Sequence, residues 1–208
     1  MKLPDIRRIF RYFSNKKRKS YLKNTNLSVF CNNCLAGCVL HDFGIKFNSP
    51  TVNLFLEFPD YIEFLKNIKH YVSVPVIDIT KNSEYPIGWL ANSTGGGIKI
   101  HFLHYRTFEE AKESWTRRCL RINWDNLFFI LVERDGCKYD DLQIFDTLPY
   151  INKVSIVQKK YKGINSQFVI KGFEKDNQVG NVMNFTGFFG KRIYDQYNWI
   201  NFFNKNTR

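Results

Sequence analysis

The amino-acid sequence predicts an α/β sandwich of three layers, with a largely parallel sheet and one inserted β-hairpin. Apolar segments typical of strands alternate along the chain with amphipathic segments typical of helices, as in parallel strands joined by helical crossovers. The segment at 126–132 is apolar almost throughout, as expected for a strand buried on both faces. Hydrophobic residues make up 44% of the 208 residues, which is enough for a single folded core.

The first strand is predicted at "NLSVF" (26–30), and the helical pattern of "CLAGCVLHDF" follows it directly. An amphipathic helix is predicted over "FPDYIEFLKNIKHYV", with Pro59 and Asp60 at its start. "VPVIDI" (74–79) is predicted as a strand, and two more strands flank the glycine-rich loop at 92–97. That loop lacks the Lys-Ser/Thr pair of a phosphate-binding loop, so a hairpin tip is favoured.

The strongest helical signal lies in "TFEEAKESWTRRCLRINW". Thr107 and Glu110 form a capping box at its start, and arginines near its end suit the helix dipole. The remaining segments are predicted, in order, as a strand "NLFFILVERDG", a short helix "YDDLQIFDTLP", the strands "KVSIVQKK" and "SQFVIKGF", and a closing amphipathic helix "GKRIYDQYNWINFF".

Residues 1–25 are predicted to form a basic arm on a single domain that spans 26–208. The formal net charge is +12, and eight of the 31 Lys and Arg residues lie between positions 7 and 23, with Lys2 just before them. Apolar side chains recur in this arm at helical spacing, at Leu3, Ile6, Ile9, Phe10 and Phe13. The pattern is typical of an amphipathic helix and polybasic run on an anionic membrane surface. A helix packed on its own domain, followed by a solvated linker, has the same spacing.

No nucleic-acid-binding signature accompanies the positive charge, so nucleic acid is not an expected partner. No segment approaches the ~18–20 apolar residues of a membrane span and no secretory signal opens the chain, so we expect a cytosolic protein with free thiols. Of the five cysteines, Cys31 and Cys34 form one C-x-x-C pair, whereas Cys119 and Cys137 are isolated. Neither a zinc site nor an iron–sulfur cluster is therefore predicted.

Cys34 is a candidate nucleophile because it lies where the first strand turns into a helix. A thiol at a helix N-terminus faces unpaired N–H groups, which are expected to lower its pKa. Those groups, with the side chains of Asn32 and Asn33, are candidate donors to an oxyanion or a substrate. Cys38, one turn later, is expected to pack in the core.

A nucleophilic cysteine needs a base, and the segment "IHFLHYR" offers His101 and His104. Because they are three residues apart in a predicted strand, they face opposite sides of the sheet. Ligands of α/β folds bind at the carboxyl ends of the strands, so His104, nearer the end of its strand, is the better candidate.

Six segments of the chain, in the right order between about residues 26 and 160, together resemble the bacterial domain-of-unknown-function family 1919. They are "CNNCLAG", "FGIKFNSPTVNLF", "PDYIEFLKNIKHYV", "YPIG", "IHFLHY" and "EEAKESWTRRCLRINWDNLF". Members of that family are mostly assigned to exopolysaccharide or capsule biosynthesis, so the resemblance implies a pathway more than a reaction. The "NNC" turn is also loosely similar to the "GNC" turn of capsule acetyltransferases with an SGNH-like α/β fold.

The resemblance aligns Asn32, Asn33 and Cys34 with a family motif in which Cys31 replaces a usual serine and Leu35 a usual bulky aromatic. It implies further matches at His104 and Tyr105, and in a helix that carries Trp115, Arg117, Arg118 and Arg121. Tyr105 and the three arginines are candidate substrate contacts, since arginines suit the phosphates of CoA or of a nucleotide or lipid-diphosphate sugar. A solvated helix end that satisfies the dipole explains the same arginines.

Three functions remain open on these residues. The first is a transferase of cell-surface glycan assembly, an acyltransferase with Cys34 as nucleophile, His104 as base, a glycan or lipid-linked sugar as substrate, and an acyl-CoA or nucleotide sugar as co-substrate. The second is a metal-dependent glycosyltransferase that uses Glu133 and Asp135 of "ERDG", although this segment also has the composition of an ordinary turn. The third is a non-catalytic module that docks on a membrane through residues 1–23.

Overall fold

The computed structural model of the protein describes residues 5–205. Its α-helices are Ile6–Ser20 (α1), Leu35–Phe43 (α2), Phe58–Lys66 (α3), Ile68–Tyr71 (α4), Phe108–Cys119 (α5), Tyr139–Thr147 (α6) and Trp199–Phe203 (α7), and a 3-10 helix spans Ile193–Gln196. Its strands are Ser28–Cys31 (β1), Ile77–Asp78 (β2), Ile87–Ala91 (β3), Gly97–His101 (β4), Leu127–Val132 (β5), Lys153–Val157 (β6), Gln167–Val169 (β7), Phe185–Thr186 (β8) and Lys191–Arg192 (β9).

The central sheet has four parallel strands in the order β1, β5, β6, β7. All four residues of β1 are buried, and so are five of the six residues of β5, which explains their continuous apolar sequences. Alternate side chains enter different cores: Val29 and Cys31 belong to one apolar cluster, and Phe30 belongs to the other. The predicted α/β sandwich with a largely parallel sheet is confirmed.

The two cores define the outer layers of the sandwich. One core receives α2 and α7, through residues such as Leu35 and Trp199. The other receives α3, α5 and α6, together with the antiparallel sheet β2–β3–β4. The predicted hairpin is this β3–β4 pair, closed by the loop at 92–97. His104 lies just after β4, so the position of the hairpin places His104 near the central parallel sheet.

The closing helix predicted over 190–203 is wrong. The chain there forms β9, the 3-10 helix and the five-residue α7. The backbone of Tyr197 is extended, and the side chain of Asn198 then caps α7 by accepting a hydrogen bond from the backbone N–H of Asn201 at 3.0 Å. The strand predicted over 74–79 is also shorter than expected, since β2 has two exposed residues at the edge of its sheet.

Helix α1 runs through the lysine cluster to Ser20, where the sequence predicts a polybasic run after a shorter helix. Its Arg11 is only 6% exposed and pairs with Asp42 of α2 and with Asp195 of the 3-10 helix. The helix is thus joined to the rest of the fold by a buried charge. Leu3 and Lys2 lie outside the described residues, and the domain boundary at residue 25 stays a prediction.

Candidate functional site

The structure brings Cys34 and His104 together, although 70 positions separate them in the chain. Sγ of Cys34 lies 3.2 Å from Nε2 of His104, which is hydrogen-bonding distance for a thiol and an imidazole. Cys34 is the residue that caps the start of α2, directly after β1 and a two-residue turn. His104 is exposed and Cys34 is half-buried, so a ligand can approach the pair from solvent.

The two asparagines before Cys34 hold this turn in place. The side chain of Asn32 donates to the carbonyl of Val132 at 3.1 Å and accepts from the N–H of the same residue at 2.9 Å. Asn32 is fully buried and holds the turn to β5, and its contact with a substrate stays a prediction. Oδ1 of Asn33 accepts the N–H of Leu35 at 3.0 Å and the thiol of Cys31 at 3.6 Å, which fixes the first turn of α2.

The thiol of Cys34 does not have the lowered pKa that the sequence predicts. Burial raises its pKa, the nearby Cys38 raises it further, and the charge of Arg134 opposes both. Backbone N–H groups at the start of α2, including those of Asn33 and Ala36, face the Cys31 thiol instead, and burial still raises the pKa of Cys31 to about 12. Cys34 therefore rests as a neutral thiol that needs a base to become a nucleophile.

The three arginines of the α5 region lie in different environments, and one of them is already engaged. Arg118 donates to the carbonyl of Val52 at 2.7 Å and its guanidinium lies 5.6 Å from the centre of the Phe47 ring. Burial lowers the pKa of Arg118, and the neighbouring Tyr105 oxygen opposes that shift. Arg118 thus stabilises the loop after α2, and its contact with a substrate phosphate stays a prediction.

Arg117 is exposed and donates to Ser114 of its own helix at 3.2 Å, and Arg121 is partly exposed just beyond the helix end. Their contact with a substrate stays a prediction.

A cleft of about 270 Å³ begins one helical turn after Cys34. It is lined by Gly37, Cys38, His41, Asp42, Phe47, Asn53, Arg192 and Tyr194. Gly37 leaves room there for the side chain of Asn53, since a Cβ atom at this position would lie 2.2 Å from Oδ1 of Asn53 and that side chain would have to move. Sequence reasoning missed both Arg192 in this cleft and Arg134 beside Cys34. Arg134 is the second residue after the end of β5, so the rule that ligands meet the carboxyl ends of parallel strands could have found it.

The family model for the Domain of unknown function (DUF1919) matches residues 5–204, nearly the whole chain. This chain belongs to that family. The DUF1919 chain is also 41% identical over 194 residues to a protein of Haemophilus influenzae that carries the name "Uncharacterized protein". That match covers 93% of this chain and 92% of the relative, so helix α1 and the Cys34 region both lie within the family region.

The acidic pair of "ERDG" is divided between two separate environments in this DUF1919 protein. Glu133 is buried and accepts hydrogen bonds from the N–H of Gln158 at 2.7 Å and from the hydroxyl of Tyr161. Asp135 pairs with Arg134 at 2.8 Å and has a left-handed backbone, with φ of 55°. Across residues 5–205, no group of three or more His, Cys, Asp or Glu side chains is arranged to hold a metal ion.

The other histidine of the hairpin, His101, is buried between the rings of Phe55 and Tyr85. Burial lowers the pKa of His101, and the carboxylate of Glu57 lies 3.9 Å from its Nε2. Its ring packs in the hairpin and is not placed as a second base. Within the described part of the chain, no helix has both the length and the apolar character needed to cross a bilayer.

Proposed function

We propose that this DUF1919 protein is a transferase of cell-surface polysaccharide biosynthesis in which Cys34 is the nucleophile and His104 is its base. The observation that carries the chemistry is the 3.2 Å contact between Sγ of Cys34 and Nε2 of His104. The resemblance to exopolysaccharide and capsule biosynthesis proteins supplies the pathway. The reaction class that fits best is acyl transfer, since a neutral thiol beside an imidazole suits attack on a carbonyl carbon.

The proposed reaction has two balanced steps. The Cys34 thiol gives its proton to Nε2 of His104 while sulfur bonds to the acyl carbonyl carbon of the donor, and the donor's leaving group departs with that proton. With an acyl-CoA donor the leaving group is the CoA thiol. A sugar hydroxyl then gives its proton to His104 and bonds to the thioester carbonyl carbon. The carbon–sulfur bond breaks, His104 passes the proton to the Cys34 sulfur, and the acylated sugar and the neutral Cys34 thiol are released.

Positive charge near the pair supports a substrate that carries phosphate. Arg134 acts on the Cys34 thiol electrostatically, and Arg192 lines the adjoining cleft. Metal-dependent glycosyl transfer has less support, because Glu133 is held by Gln158 and Tyr161. Loss of a metal-dependent sugar transfer in an Asp135→Asn variant would favour it over acyl transfer.

We place this activity at the inner face of the plasma membrane, where a lipid-linked sugar acceptor would be found. The basic, apolar N-terminal segment up to residue 23 supports this location. A non-catalytic docking module is the second candidate function, because the apolar side chains of α1 face solvent. It predicts that Cys34 can be replaced without loss of function.

The acyl-transfer proposal is tested by trapping the covalent intermediate. Full-length protein is incubated with acetyl-CoA or with p-nitrophenyl acetate, and acetylation is measured by intact mass and peptide mapping. We expect a single acetyl group on Cys34, lost in Cys34→Ala and retained in Cys119→Ala, a control that removes another half-buried thiol. Acetylation that persists in Cys34→Ala, or absence of any thioester with both donors, would contradict the proposal.

A further inference from the structure

Helix α1 is amphipathic, but it packs on the fold with its polar side. Arg11, Asn15 and Arg18 lie along one face and bond to Asp42 and Asp195. Ile9 and Phe13 are each two positions from Arg11 and so lie on the opposite face, where they are 45% and 63% exposed. An ordinary surface helix buries its apolar side, so this orientation leaves an apolar face in need of a partner.

The orientation of α1 is held by a saturated hydrogen-bond network around Arg11. All five of its N–H donors are used. Nε and Nη2 donate to the carboxylate of Asp42, and Nη2 also donates to the hydroxyl of Tyr194 at 2.6 Å. Nη1 donates to Asp195 at 2.8 Å and to the carbonyl of Gly190 at 3.0 Å. Rotating the helix to bury its apolar side would leave these buried charges unpaired, which is strongly unfavourable.

The turn between β8 and β9 extends the same exposed apolar area. Phe188 and Phe189 at its tip are 58% and 68% exposed, and their ring centres lie 5.7 Å and 5.5 Å from that of Phe10. Gly190 permits this arrangement, because its φ is +72° and a Cβ atom there would lie 2.1 Å from the carbonyl oxygen of Arg7. The tip is thus held directly against α1.

Six residues make up this surface, which we call the apolar face: Ile6, Ile9, Phe10, Phe13, Phe188 and Phe189. Exposed basic side chains on the same helix and turn lie close to it in the chain, at Arg8, Lys16, Lys17 and Lys191. A contiguous apolar surface bordered by lysine and arginine matches an anionic bilayer, where apolar groups enter the acyl boundary and cations meet lipid phosphates. A second copy of the chain is a poorer match, because each copy carries a net charge of +12.

We propose that the apolar face inserts into the headgroup region of an anionic membrane, with the 187–190 turn and α1 as two parts of one docking surface. The proposal deepens the membrane location given under the proposed function and rests on it, but it does not depend on the chemistry of Cys34. Helix α2 connects the two sites, since Cys34 directly precedes its first residue and its Asp42 binds Arg11. Docking would therefore set the orientation of the Cys34–His104 pair relative to the bilayer.

The docking surface is tested by sedimentation of full-length protein with vesicles of phosphatidylcholine alone or with phosphatidylglycerol added. We expect binding to the anionic vesicles only, weakened by added salt. The double variant Phe188→Ser/Phe189→Ser is expected to bind at least about tenfold more weakly, since two exposed phenylalanines lose their burial in lipid. Leu120→Ser is the matched control, because Leu120 is 85% exposed at the end of α5, and its binding should not change.

Thermal unfolding of the double variant shows whether it is folded, which we expect because both side chains are largely exposed. Equal binding to neutral vesicles, or unchanged binding of the folded double variant, would overturn the proposal. The proposal would also be overturned if the protein self-associates without vesicles in a concentration-dependent way and the double variant abolishes this, since a second copy would then cover the apolar face.

Two further measurements distinguish a failure of docking from a failure of the chemistry. Cys34→Ala should sediment with vesicles like the natural protein. In solution, p-nitrophenyl acetate should still acetylate the double variant.

Discussion

The two ends of helix α2 differ in how their polar groups are satisfied. At its C-terminal end, Asp42 lies in a buried network in which every donor of Arg11 has an acceptor. At its N-terminal end, the half-buried Cys34 meets the exposed His104 through one contact. A network in which every donor is used fixes geometry, whereas the Cys34–His104 pair keeps hydrogen-bonding capacity for a ligand. We therefore expect the network around Asp42 to stabilise the fold, and the Cys34–His104 pair to carry the proposed chemistry.

The largest effect is expected from breaking the C-terminal end. Arg11→Met leaves Asp42 and Asp195 without their main buried partner, so we expect the free energy of unfolding in urea to fall by about 3–5 kcal/mol. Arg11→Lys should not restore it, because an ammonium cannot reproduce five donors in a plane. Arg8→Met, on the exposed side of α1, is the control, with a change within about 0.5 kcal/mol. A loss below about 1 kcal/mol for Arg11→Met would mean that the network does not anchor α1.

At the N-terminal end, His104→Gln should slow acetylation of Cys34 by about 10²–10⁴-fold near neutral pH, because the neutral thiol loses its base. Alkylation by iodoacetamide should be nearly unaffected at a pH above the raised pKa of Cys34, where the thiolate forms without help. Leu103→Gln, in the same exposed loop, should leave both rates unchanged. Equal acetylation of the His104→Gln variant and the natural protein would remove the base from the proposal.

For each pH unit, the smallest change in stability should come from Cys31, which is the buried neighbour of Cys34. Its folded pKa of about 12 lies above the value of about 8.5 in an unfolded chain. Its contribution to stability is therefore fully present below the unfolded pKa and is lost as pH rises towards 12. Between these two pH values, we compare how steeply the free energy of unfolding falls with pH in the natural protein and in Cys31→Ala. The slope of the natural protein should be steeper by about 1 kcal/mol per pH unit. Parallel curves for the two proteins would show that Cys31 does not titrate in this way.

Local patterns in the sequence were sufficient for most of the fold. Periodicity and capping predicted α5 and α6, the continuous apolar run predicted β5, and the glycine-rich loop predicted the β3–β4 hairpin. These features depend on neighbours within a few residues, so the sequence alone carries them. The sequence also predicted the pairing of Cys34 with His104, but it did so from a rule for parallel strands. His104 follows β4 of the antiparallel sheet, so it is the packing of the hairpin that brings the two side chains together. Their catalytic role stays a prediction.

Tertiary contacts decided the rest. The inward turn of Arg11 depends on Asp42 and Asp195, which are 31 and 184 positions away, and no local pattern contains that information. The contact of Phe10 with the 187–190 turn also joins residues that are far apart in the sequence, so no local pattern predicts it. The sequence predicts Asn32 as a donor to a ligand. In the structure, both polar groups of its side-chain amide form hydrogen bonds with the buried backbone of Val132. The raised pKa of Cys34 has the same origin, since burial in the folded chain outweighs its position at a helix start. Sequence periodicity determined which elements form, and the pairing of distant charges and the exclusion of water determined which side of each element faces the core.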